Sequence, residues 1–205
     1  STGIYEQFSA EQANQPFEIV ASEAFQGDDC TDFTVQVQKA KDAGAELVFL
    51  PIYYSEASLI LTEANSIGYE TIFFGCDGLD GVLTVENFDT KLAEGVMLLT
   101  PFSADAEDDL TKNFVAKYKE KTGDIPNQFA ADAYDAIYII KAAIEKANIT
   151  PDASVSDICD ALKKAITEIE VDGLTGADMT WVATGEVNKA PMAVIIENGT
   201  YVSAK

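Results

Sequence analysis

The succession strand, helix, strand, helix, strand over residues 46–100 predicts an α/β protein built on a parallel sheet. Two observations carry this. Short apolar runs at residues 46–50, 71–74 and 95–100 stop abruptly at Pro51, Gly75 and Pro101, as strands buried on both faces of a parallel sheet do. Between the first two runs, Ala57, Ile60, Leu61 and Ala64 recur at helical spacing, so the unit reads as βαβ with a right-handed crossover.

The elements follow in order. Ile4, Tyr5, Phe8 and Gln12 line one side of a helix over residues 2–14 that Pro16 closes. Phe17 to Val20 reads as a short strand. Residues 26–32 form a polar loop in which Thr31 or Asp32 caps a helix carrying Phe33, Val37 and Ala40, and Gly44 ends it. Ser55 is the expected N-cap of the helix stripe that ends near Gly68. Residues 75–81 are a glycine-rich loop, and 82–93 are irregular or partly helical. The acidic cluster Asp105 to Asp109 suits a helix N-terminus, where carboxylates complement the dipole. Three helices are expected at 107–122, 128–147 and 154–167. Short strands follow at Met179 to Val182, Met192 to Ile196 and Thr200 to Val202, with Asn198-Gly199 as a hairpin turn.

Composition excludes several functions. The chain has 205 residues, 13 basic and 35 acidic, with no histidine and a formal net charge of −22. Every basic residue is lysine. Such a polyanion repels nucleic acid and anionic membranes and lacks the bidentate guanidinium that reads phosphates and bases. Without imidazole there is no Ser-His or Cys-His pair and no histidine metal site. Cys30, Cys76 and Cys159 form no CxxC pair and read as free thiols, with a single bridge left open. Asp28, Asp29 and Asp32 depart from the EF-hand spacing, so the loop reads as solvated with a helix cap and no metal is expected. No apolar stretch reaches the length of a membrane helix. The start at Ser1, without Met, reads as a processed or truncated chain.

In an open parallel sheet, ligands bind beyond the carboxyl ends of the strands. Two segments leave such ends: residues 51–56, with Tyr53 and Tyr54, and residues 75–81, with Asp77, Leu79 and Asp80. A tyrosine ring attracts an ammonium group and a nearby carboxylate neutralises it, so Tyr53 and Asp77 on neighbouring strand ends make an amino-group clamp. On pattern alone a second reading stands beside it, in which the tyrosines cap the sheet and the Gly-Asp-Gly loop is simply a turn.

The motifs themselves bring a resemblance. Asp32-Phe33-Thr34-Val35-Gln36, residues 47–57, Gly75-Cys76-Asp77-Gly78, Glu94-Gly95-Val96, Ala133-Tyr134-Asp135-Ala136, and the closing stretch from Thr175-Gly176 through Thr184-Gly185-Glu186-Val187 to Asn198-Gly199 together resemble the type I periplasmic binding proteins of ABC transporters. The branch they resemble is that of the leucine/isoleucine/valine-binding proteins, and the resemblance spans the chain but only the later part of a complete family member. It implies a parallel-sheet, Rossmann-like lobe plus helices of a truncated other lobe. Residues 1–101 would be the second-lobe α/β unit, 102–185 a helix-rich segment of the first lobe, and 186–205 strands returning to the second.

Functionally, the resemblance implies a non-enzymatic extracytoplasmic solute-binding protein, in the periplasm or lipid-anchored at the cell surface. It would bind a branched-chain or related amino acid in an interlobe cleft, need no cofactor, and deliver to the membrane permease of an ABC transporter. Tyr53 matches the family tyrosine and Asp77 the acidic residue that meet the ligand ammonium. Asp77 stands where leucine-type members often carry glutamate, and Leu79 where an aromatic residue is common. Tyr54 and Phe102 are further cleft-lining candidates. The ligand carboxylate would be held by the missing lobe. The faces bearing Phe114, Val115, Tyr118, Ala133, Ile137, Ile140 and Ile144 would normally pack on an absent sheet, and exposing them costs about 25 cal/mol per Å². Self-association or an N-terminal piece would cover them. Two other readings remain: a sensor domain of the same fold, and a hydrolase using Asp77 and Asp80 as an acid/base pair.

Overall fold

The computed structural model describes residues 2–27 and 30–204. Asp28 and Asp29 of the acidic loop lie outside the described residues. The chain divides into two compact units, Ser1–Thr100 with Ala193–Lys205, and Pro101–Met192. Residues 186–191 therefore fall with the second of these.

Unit 1 holds a five-stranded sheet in the order of the chain. Its strands are β1 (Leu47–Leu50), β2 (Ile72–Gly75), β3 (Met97–Thr100), β4 (Met192–Glu197) and β5 (Thr200–Ser203). The pairs β1–β2 and β2–β3 are parallel, and β4–β5 is an antiparallel hairpin. Gly95 and Val96 exchange backbone hydrogen bonds with Ile196, which ties the hairpin to β3. At its turn Asn198 and Gly199 both take positive φ, 53° and 70°, the geometry that suits the right-handed twist of the two strands.

Helices α1 (Thr2–Gln12), α2 (Thr34–Asp42) and α3 (Tyr54–Ser66) complete the unit. On one sheet face, α2 and α3 bury Phe33, Val37, Ala57, Ile60, Leu61 and Ala64 against Leu50, Phe73, Leu98, Val194 and Ile196. The opposite face carries Phe49, paired with Phe74 in the register, and α1 reaches it through Phe8 stacked on Phe49 at 4.6 Å. The expectation that β1 is buried on both faces is thereby corrected: Leu47 is exposed, as is its register partner Ile72 on β2, because α1 covers only part of this face.

Further expectations change. Phe17 to Val20 is not a strand: no described strand offers it a ladder, and Phe17 and Val20 are exposed. Met179 to Val182 contributes only isolated bridges, Val171 to Met179 and Trp181 to Val187, since the chain turns at Asp178 with φ 49°. Ser55 is not the cap of α3. The helix starts two residues earlier than that cap would set, Tyr53 holds the cap position in extended conformation, and Ser55 lies in the first turn. Neither Thr31 nor Asp32 is the cap of α2: Phe33 holds that position without a side-chain cap bond, and Asp32, just before it, accepts a hydrogen bond from the Thr34 N–H at 3.0 Å. That bond lowers its pKa.

Unit 2 is built from α4 (Asp109–Thr122), α5 (Gln128–Ala147) and α6 (Val155–Ile166). Each is capped by a side chain that accepts a backbone N–H: Asp108 from Thr111, Asn127 from Ala130, and Ser154 from Asp157. Phe102, Phe114, Ala131 and Leu174 form its small core, with Val115, Tyr118 and Tyr134 packed against it. Phe114, Val115 and Tyr118 thus find cover within the unit, contrary to expectation, because the aromatic rings close on one another; Phe114 and Tyr134 lie 5.1 Å apart. Ala133, Ile137, Ile140 and Ile144 remain exposed along α5.

Asp135 fastens this unit together. Its buried carboxylate accepts hydrogen bonds from the backbone N–H groups of Leu174 and Thr175, both at 2.8 Å, and from the Thr175 hydroxyl at 2.7 Å. Replacing it by alanine would strand three buried donors, each costing about 1–3 kcal/mol. Asp135→Ala is therefore expected to lose about 3 kcal/mol or more of unit 2 stability. Urea unfolding followed by Trp181 fluorescence reads that unit, since the chain has one tryptophan; an unchanged midpoint would contradict the assignment.

Candidate ligand-binding site

The two strand-end loops of unit 1 meet directly. After β1 the chain passes through Pro51 and Ile52 to Tyr53, which lies 62% exposed at the N-terminal end of α3. After β2 the chain enters a single 3₁₀ turn at Asp77–Leu79, closed by hydrogen bonds from the Leu79 N–H to the Cys76 carbonyl and from the Asp80 N–H to the Asp77 carbonyl. Gly78 in this turn is buried against the first loop: a Cβ there would collide with the Ile52 carbonyl oxygen and come within 3.3 Å of the Tyr53 ring. One residue before that contact, Asp77 is exposed. Tyr53 and Asp77 are therefore brought to neighbouring positions, with the Tyr53 ring against the turn that carries the carboxylate.

The other candidates divide. Tyr54 is half-buried, and its ring packs on Gly81, whose φ of 115° favours a residue without a Cβ. Leu79 is fully buried among the core residues of unit 1, so its side chain serves packing and anchors the turn. Phe102 belongs to unit 2 and is buried in its aromatic core.

Residues not singled out as candidates complete the arrangement. The Tyr201 hydroxyl, on β5, accepts a hydrogen bond from the Gly81 N–H at 3.0 Å. Burial first, and then the charge of Asp80, push the Tyr201 pKa up to about 12, so its oxygen stays protonated over the physiological range. Asp80 itself is buried. Cys76, beside Asp77, faces the apolar side of the sheet with Phe49, Phe74 and Leu99, and burial raises its thiol pKa. Those residues, with Ile4 and Phe8, line an open depression of about 560 Å³ that contains no charged side chain. Glycines at 75, 78 and 81 were a visible signal of close packing, whereas nothing in the local sequence announces Tyr201.

Among the described residues no group of three or more histidine, cysteine or acidic side chains could hold a metal ion. Cys30, Cys76 and Cys159 are free thiols. Among the described residues no helix is long and apolar enough to cross a membrane.

Comparison with known proteins agrees with this architecture. A family model described as "Periplasmic binding protein" matches residues 2–197. The leucine-, isoleucine-, valine-, threonine- and alanine-binding protein of Pseudomonas aeruginosa is 29% identical over 132 residues, covering 64% of this chain and 34% of that protein. The substrate-binding protein of a branched-chain amino acid transporter from Streptococcus pneumoniae, solved with isoleucine, superposes with a TM-score of 0.79 at 28% identity, covering 98% of this chain and 54% of its own. A leucine-binding protein from Thermotoga maritima has the same fold, with a TM-score of 0.83 at 23% identity over all of this chain and 56% of its own. The chain thus spans between 34% and 56% of the length of these relatives.

The close approach at Gly78 makes a sharp expectation. Gly78→Ala would force the 77–79 turn off the Ile52 backbone, at a cost of about 1–3 kcal/mol for overpacking. Thermal unfolding of unit 1 should shift down, and amide chemical shifts of residues 52–54 and 77–81 should move together. A variant with the parent's melting temperature and unmoved shifts would show that the loops do not touch.

Proposed function

The chain belongs to the periplasmic binding protein family, as a type I member of the Leu/Ile/Val-binding-protein kind, and from that premise we propose that it binds a branched-chain or related L-amino acid in a cleft between lobes, with the strand-end loops of unit 1 as one wall. Its relatives are substrate-binding proteins of ABC transporters, and the family is extracytoplasmic. The observation that carries the proposal is the packing of the Tyr53 ring on the Asp77 turn.

A free amino acid presents an ammonium group beside a carboxylate. The Asp77 carboxylate supplies a charge-assisted acceptor for the ammonium, and the Tyr53 ring offers its face to the same cation. Both are placed before ligand arrives: Gly78 locks the turn to Ile52, and the α3 N-terminus holds Tyr53. Little ordering free energy is then lost on binding. The ligand carboxylate is left to the first lobe, whose sheet in this reading lies in the portion of the relatives' length that the chain does not span. Unit 2's helices belong to that lobe, and the exposed stripe of Ala133, Ile137, Ile140 and Ile144 packs there on its sheet, or on a second copy where the sheet is lacking.

Mechanism follows from differential contact. A ligand held by both walls favours the closed arrangement over the open one by its extra contacts, so occupancy biases a hinge equilibrium. The closed form is what a membrane permease distinguishes from the empty protein. The chemistry is binding and release, for which no cofactor is required.

Calorimetry of a version completed to the length of its relatives, titrated with a panel of L-amino acids, tests this reading. At least one aliphatic amino acid should bind. Tyr53→Ala is expected to weaken it about tenfold and Asp77→Ala by about tenfold to a hundredfold, as the loss of a cation–π contact and of a charge-assisted pair would. Binding that both substitutions leave at parental strength would overturn the assignment.

A further inference from the structure

From the C-terminal hairpin we infer that Tyr201 is a positioning residue for the amino-acid site, holding the Asp77 turn at the distance from Tyr53 that a ligand ammonium requires. This rests on the binding reading above. The turn is pinned at three points. Its entry is fixed by β2. Its middle is fixed by Leu79 in the core and Gly78 on Ile52. Its exit is fixed by Gly81, whose N–H is donated to the Tyr201 hydroxyl 120 residues away in sequence and whose open face is packed by the Tyr54 ring.

The exit is where a hold is needed. Gly81 sits at φ 115°, outside the regions other residues prefer, and a glycine is free to leave that conformation unless something retains it. Thr84 holds the carbonyl side of Gly81, through its N–H at 2.8 Å and its hydroxyl at 2.7 Å; the hydrogen bond to Tyr201 holds the N–H side, in a partly buried place where losing it leaves that N–H without its acceptor. The ring of Tyr201 packs against the unit 1 core, so the hydroxyl is aimed by a rigid element: β5, paired along its length with β4. Burial, and after it the charge of Asp80, raise the Tyr201 pKa, so the oxygen is a neutral hydroxyl at neutral pH. Tyr201 itself touches no ligand in this arrangement. It acts through Gly81 on Asp77, and its effect should therefore fall on recognition of the ligand's amino group.

Tyr201→Phe keeps the ring and removes the acceptor. In the completed version, the affinity for L-leucine should fall about fivefold to tenfold, the equivalent of one hydrogen bond. The affinity for 4-methylpentanoate, which has the same carboxylate and side chain without the amino group, should stay within twofold by competition. In the 205-residue chain itself, amide exchange at residues 77–81 should quicken in the variant while exchange in α3 is unchanged. An equal loss for both ligands would mean a general structural role and would overturn the inference, as would no loss for either. Should the parent bind no amino acid, the binding reading fails; exchange in the 205-residue chain then decides Tyr201's hold on the turn, and parental protection at 77–81 would refute it.

Discussion

The absence of a Cβ at residue 78 is the constraint on which the candidate site depends. Two loops leave adjacent parallel strands, and ordinary side-chain volume would hold them apart. At Gly78 the second loop instead lies on the Ile52 carbonyl and the edge of the Tyr53 ring. That contact sets the register between an exposed aromatic and an exposed carboxylate, and the rest of unit 1 supports it. Leu79 drops into the core on one side of the contact and Tyr201 receives the Gly81 N–H on the other. The turn is thus determined by packing below and hydrogen bonding beyond, leaving Asp77 facing out. Rigid support of this kind is what a site needs if ligand binding is not to be weakened by ordering its own loops.

Unit 2 shows a different balance. Its aromatic cluster holds four buried residues, with Tyr118 and Tyr134 among those packed against it, and polar chemistry adds to its cohesion. Asp135 closes the 173–175 loop onto α5 with three short hydrogen bonds in a buried setting, where each is worth more than at the surface because the alternative is an unpaired donor. The same helix leaves Ile137, Ile140 and Ile144 in solvent. A helix with a polar anchor on one side and an apolar stripe on the other is organised for two neighbours. This suits a family whose members extend well beyond this chain's span.

Much of this was legible from sequence where local rules act alone. The runs ending at Pro51, Gly75 and Pro101 located three strands, the caps at Asp108 and Asn127 agree with helix starts near the expected positions, and Asn198-Gly199 marked the hairpin. Legibility failed where the answer depends on a partner elsewhere in the chain. Phe17 to Val20 has strand composition but no ladder to join. Ser55 has a cap's chemistry, yet the backbone at Tyr53 takes the cap conformation first. Phe114 looked destined for a missing sheet and instead found Phe102, Tyr118 and Tyr134. At the candidate site, strand-end position was enough to expect Tyr53 and Asp77 near one another, as the contact at Gly78 brings them. Leu79 could not be recognised as a core anchor, since a leucine in a glycine-rich turn looks exposed until its neighbours are known, and Tyr201 is 120 residues from the backbone it holds.

Amino-group recognition by the paired loops is tested most directly by a crystal structure of the completed protein grown with L-leucine or L-isoleucine. The expected result is a ligand ammonium within hydrogen-bond distance of the Asp77 carboxylate and over the Tyr53 ring, with the 77–81 turn placed as it is in this chain. A ligand whose carboxylate or side chain occupies that position, or one bound away from both residues, would contradict it.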